Sequence, residues 1–162
     1  FDGPENGHVV LMANSLMSNH TMWDWNVPAL TDRYRVLRYD KRGHGGSQTT
    51  PGPYSISQLA DDAIALMDAL KIDKVHFIGL SMGGMIGQTF ALAHPGVFQS
   101  LILADSTSRR PANAASMVAA AAGSNADQRT CTRRLYCQVA KAVPQTDALL
   151  LVPNKVAGAV DG

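Results

Sequence analysis

The chain has 162 residues, 46% of them hydrophobic, enough to close one globular core that buries roughly two thirds of its unfolded surface. Its 14 Lys+Arg against 13 Asp+Glu leave a formal net charge of +1, which excludes the basic footprint of a nucleic-acid or anionic-lipid binder; small-molecule partners are expected, with no nucleic acid and no membrane. No apolar run approaches the ~18 residues of a membrane span and the start, Phe1-Asp2-Gly3, lacks a charged and apolar leader, so a soluble, cytoplasmic protein is expected.

The first element is His8 to Asn14 (HVVLMAN), a continuous apolar run that suits a strand buried on both faces. The loop ANSLMSNHTMW follows, and a short helix is expected near Pro28, a residue whose missing N–H is harmless in a first helical turn. Tyr34 to Asp40 (YRVLRYD) reads as the second strand. It leads into YDKRGHGGS, where Gly43, Gly45 and Gly46 permit positive φ and Asp40 and Arg42 are expected to pair across the turn. His44 in that loop reads first as a structural hydrogen bonder and only second as a base.

Ser55-Ile56-Ser57-Gln58 resembles a capping box, and Leu59, Ala63, Leu66 and Leu70 then form one stripe at helical spacing, with Asp61, Asp62 and Asp68 off it. Lys74 to Leu80 (KVHFIGL) is the third strand. A helix from Met82 to about His94 follows, stopped by Pro95, with Ile86, Phe90 and Ala93 inward. Ser100 to Asp105 (SLILAD) is the fourth strand. Strand alternating with helix implies an α/β fold, a mostly parallel sheet with helices on both faces.

Residues 1–110 carry this pattern, and residues 111–162 form a divergent, Ala-rich segment. AASMVAAAAGS can form a helix there, and Leu149 to Val152 one more strand, confined by Pro144 and Pro153. Cys131 and Cys137 have neither the spacing nor the companions of a zinc site or disulfide framework, so no metal is expected.

Gly79-Leu80-Ser81-Met82-Gly83 fits G-x-S-x-G, the pattern of a serine nucleophile raised on a sharp strand-to-helix turn. The pattern also arises by chance, and the serine can be a plain helix cap. Here a buried strand precedes it and a glycine-rich helix follows, the context the motif requires. Acyl transfer builds negative charge on a carbonyl oxygen, which backbone amides can stabilise. Met82, at the N-terminus of the helix, supplies one such amide, and the loop after the first strand, by position at Leu16, the other.

Asn14-Ser15-Leu16, Tyr39-Asp40, Arg42-Gly43-His44-Gly45, Ser47, Gly79-Leu80-Ser81-Met82-Gly83-Gly84, His94-Pro95 and Asp105-Ser106-Thr107-Ser108-Arg109 together resemble the α/β-hydrolase superfamily. Within it, residues 8 to 110 are most similar to the 3-oxoadipate enol-lactonase group and its neighbouring esterases and cofactor-free haloperoxidases. The resemblance implies the central part of an α/β-hydrolase fold, a nucleophile at Ser81, oxyanion donors at Leu16 and Met82, and no cofactor. In that family the triad runs Ser, acid, His along the chain, yet the last histidine here is His94. A truncated gene product is therefore expected, with His20, His44 or a group from a second chain as substitute base and Asp105 as an alternative acid. The function expected is hydrolysis of small esters or lactones. The alternatives are a catalytically impaired module that self-associates through exposed sheet edges into a homo-oligomer, and haloperoxidase-like chemistry on the same serine.

Overall fold

The computed structural model describes residues 1–106 and the backbone of 150–152. The expected helix at 114–124 and both cysteines lie outside the described residues. The four apolar runs are strands: β1 (His8–Ala13), β2 (Tyr34–Arg38), β3 (Val75–Leu80) and β4 (Phe98–Ala104). The expected strand near Leu149 is β5 (Leu150–Val152), and the two helices are α1 (Ile56–Ala69) and α2 (Met82–Ala93). All neighbouring strand pairs are parallel, in the order β2-β1-β3-β4-β5.

Side chains alternate across the sheet, and the register lines up like with like. Leu11, Phe77 and Leu101 stand in one row and Met12, Ile78 and Ile102 in the next. The first row faces α1 and α2 in a cluster that includes Leu59, Ala63, Met67, Ile86 and Phe90. The second faces Met22, Trp23, Val27 and Leu30. Among the described residues, 3-10 turns at His20–Trp23 and Val27–Ala29 cover this second face. The short helix expected near Pro28 is the latter turn, with Pro28 in its first positions and too few residues for an α-helix.

Ser55 caps α1 as expected, its side chain accepting from the Gln58 N–H at 3.0 Å. The buried stripe is Leu59, Ala60, Ala63 and Met67, with Leu66 packed beside it; Leu70 is 40% exposed because the helix has already ended at Ala69. On α2, Ile86 and Phe90 point inward as expected, whereas Ala93 is exposed in the last turn. Phe90 lies edge-on to Phe98 at 4.7 Å and to Phe77 at 6.3 Å, and β4 begins at Phe98, paired with Val75, two residues before the expected Ser100.

The chain leaves β1 toward β2 on one side and later departs β3 toward β4 on the other. The crevice beyond the C-terminal ends of β1 and β3 is thus the switch point of the sheet, where open parallel sheets place their ligands.

Candidate active site

Ser81 sits at that switch point, between the last residue of β3 and the first of α2, with φ 53° and ψ −112°. Such a backbone costs a non-glycine residue about 1–3 kcal/mol and persists only where its surroundings enforce it. They do so here from several sides. The Ser81 N–H donates to the Ala104 carbonyl at 2.9 Å, and its own carbonyl accepts from the N–H groups of Gly84 and Met85 and from Ser106 Oγ at 2.9 Å. The side chain makes no capping bond to α2, so the plain helix-cap role does not apply.

The flanking glycines let the turn close. A Cβ on Gly79 would stand 2.4 Å from the Gly83 carbonyl oxygen, and one on Gly83 would stand 2.1 Å from that of Ala13. The second contact brings the start of α2 against the end of β1. Met82, the first residue of α2, therefore lies beside the loop that carries Leu16. Its N–H is one of the helix's unpaired donors, at the positive end of the dipole.

The loop after β1 is held by hydrogen bonds at Asn14 and Ser15. Asn14, 1% exposed, donates from Nδ2 to the Tyr39 carbonyl at 2.8 Å and accepts from the Trp23 indole at the same distance. The Ser15 N–H meets Met22 Sδ at 3.4 Å. The Ser15 carbonyl accepts from Ser18 Oγ at 2.8 Å and from Lys41 Nζ at 2.6 Å. Leu16 is half-buried against the helix-side core, and its N–H has no hydrogen-bond partner among the described residues. Met17 turns the chain away with φ 62°.

The sequence's histidines divide by place in the fold. His8 begins β1, and His76, bonded to Ser100 Oγ at 2.8 Å, lies about 16 Å of extended strand before Ser81. His94 caps the far end of α2, about 18 Å along its axis. Only His20 and His44 share the elbow's end of the sheet. His20 Nδ1 meets the Asp40 carboxylate at 3.0 and 3.1 Å, and its backbone N–H donates to the same group at 2.6 Å. Burial pushes the Asp40 carboxyl up, but the N–H groups of Gly46 and His20 and the His20 ring outweigh it and hold the group below its ordinary range. His44 Nδ1 meets the Arg42 carbonyl at 3.1 Å, and burial, aided by Lys41, lowers its pKa. Asp105, weighed as an alternative acid, is exposed just past β4 with φ 47°.

The Asp40–Arg42 pairing expected from the loop sequence does not form. Asp40 turns to His20 and Gly46, while Arg42 reaches Asp62 on α1, with Nε at 2.7 Å from the carboxylate. The missed contributor is Lys41, only 2% exposed, whose pKa burial lowers to about 7 against the opposing pull of Asp40. A lysine in a glycine-rich loop reads as solvated, and no local pattern marks it as buried. Among the described residues no cluster of His, Cys, Asp or Glu could hold a metal ion, and no helix is long and apolar enough to cross a membrane.

Known proteins resemble this chain in sequence and in fold. The chain is 43% identical over 100 residues to 3-oxoadipate enol-lactonase 2 of Acinetobacter baylyi, a stretch covering 62% of this chain and 38% of that protein. Among solved structures, a hydrolase from Pseudomonas aeruginosa superposes with a TM-score of 0.70 at 38% identity, covering 83% of this chain and 51% of that one. The enol-lactonase from Burkholderia xenovorans superposes with a TM-score of 0.65 at 43% identity, covering 67% and 42%. The chain thus spans about two fifths to one half of the length of these relatives. The sequence profile of the alpha/beta hydrolase fold family matches residues 8–128, three quarters of the chain and all the elements that build the elbow, and the protein belongs to that family.

Proposed function

We propose that the chain is a serine-dependent hydrolase of small, uncharged carboxylic esters or lactones, with Ser81 as nucleophile and the amides of Leu16 and Met82 as the oxyanion site. The observation that carries the reading is the backbone of Ser81, held at φ 53° between β3 and α2 without capping the helix. The lactonase names of the relatives support a lactone or ester bond as the one cleaved, without bearing on the substrate's charge.

In this reading a base takes the Ser81 Oγ proton as the oxygen attacks the carbonyl carbon, and the two amides hold the negative oxygen. The ester C–O bond breaks as the base returns the proton to the departing alcohol, and water, activated in the same way, releases the acid and restores the Ser81 hydroxyl. Of the two imidazoles at this end of the sheet, His20, whose Nδ1 faces a carboxylate and leaves Nε2 open, has the pairing a triad base would need. Positioning and an oxyanion site alone sustain ~10³ to 10⁴ over water, so slow turnover of activated esters is expected even where proton transfer is poor.

A fluorophosphonate probe tests the assignment. The parent protein is expected to be labelled at Ser81, and Ser81→Ala to abolish labelling. Labelling that survives in Ser81→Ala, or none in the parent, removes Ser81 from the mechanism.

A further inference from the structure

We propose that Lys41 is a positioning residue for the oxyanion site: its buried ammonium fixes and polarises the Ser15–Leu16 peptide so that the Leu16 N–H is held as a ready donor. This rests on the reading of Leu16 as an oxyanion donor, and deepens it.

The Ser15 carbonyl and the Leu16 N–H belong to one peptide unit. That unit is planar and trans, so its oxygen and its hydrogen point in opposite directions. Whatever anchors the oxygen therefore aims the hydrogen. Two donors converge on it, Lys41 Nζ at 2.6 Å and Ser18 Oγ at 2.8 Å, from side chains 2% and 7% exposed. Turning the peptide over would break both bonds and present a carbonyl oxygen where an amide is needed. A cationic donor on the oxygen also draws electron density from the amide nitrogen, which makes the opposite N–H a stronger donor.

Tying down a loop does not by itself require a charge, since Ser18 already bonds the same oxygen. Burying an ammonium is costly, and its lowered pKa records that cost. A charge kept at such a cost beside a candidate reaction centre is better accounted for by a role in the reaction than by packing.

The test, run at pH 6 where Lys41 is protonated, uses p-nitrophenyl acetate turnover and the affinity for phenylboronic acid, whose tetrahedral serine adduct places an oxygen where the oxyanion forms. Lys41→Met is expected to lower kcat about tenfold or more with KM within about twofold, and to weaken the boronate by the same factor as kcat. Ser18→Ala, which removes the other donor, is expected to show the same split with a smaller fall, and carries the test if Lys41→Met fails to fold by circular dichroism. An unchanged kcat in folded variants, or a change in KM alone, overturns the proposal while leaving Ser81 in place. If the parent shows no Ser81-dependent turnover, the oxyanion reading falls and this proposal with it.

Discussion

Lys41 follows Asp40 in sequence, yet the two side chains meet opposite environments. Asp40 gathers N–H donors from Gly46 and His20, whereas Lys41 is driven inward to one carbonyl, with burial lowering its pKa to about 7. The unfolded chain holds the same group near 10.4. Between those values the unfolded state binds a proton that the folded state does not, so stability rises with pH from about 7 to about 10. Below about pH 7 both states are protonated and the full burial cost persists. Lys41→Met is therefore expected to be more stable than the parent at pH 6 and to lose that advantage by pH 10, as denaturant midpoints of the two proteins across this range would show. A variant both sturdier and slower is the usual sign of a residue kept for function.

At the scale of elements, α2 is held by the closeness of its first turn to β1. Gly83→Ala would set a Cβ 2.1 Å from the Ala13 carbonyl oxygen, and backbone on both sides leaves no flexible atom to yield. The expected loss is about 1–3 kcal/mol, measurable by urea denaturation, together with slower phosphonylation of Ser81 because the elbow shifts with the helix. Elements of this kind were legible in the sequence. Strands β1 and β3 announce themselves as apolar runs because they lie inside the sheet, β2 and β4 by their buried stretches Val36–Leu37 and Leu101–Ala104, and Ser81 because its strained turn demands small residues at fixed offsets. Helix faces were legible only in part: Leu70 and Ala93 fit the spacing but fall where the helices end. Lys41 and the Arg42–Asp62 pair were not legible, since both depend on what a neighbouring element brings, which no local pattern encodes.

At the scale of the whole sheet, the outer strand on the β2 side among the described residues is covered by Asp2. Asp2 exchanges backbone bonds with Val36, at 3.0 and 2.8 Å, as an isolated antiparallel bridge, and its carboxylate accepts from Arg38 at 2.8 Å. An unguarded parallel sheet edge invites pairing with another copy. Deleting residues 1–6 is expected to produce concentration-dependent association in sedimentation velocity beyond whatever the parent shows; identical profiles for the two would mean that the bridge has no protective role. The same sheet places its switch-point loops on one rim, so the integrity of that rim and of the fold can be followed separately.

The means of doing so lies in the tryptophans. Trp23 is wholly buried, its indole bonded to Asn14 at the base of the Ser15–Leu16 loop, while Trp25, two residues on, is 68% exposed. A collisional quencher such as iodide meets the outer indole and is excluded from the inner one. With Trp25 replaced by phenylalanine, the chain's remaining tryptophan emission becomes an unlabelled optical gauge of whether the Ser15–Leu16 loop is seated.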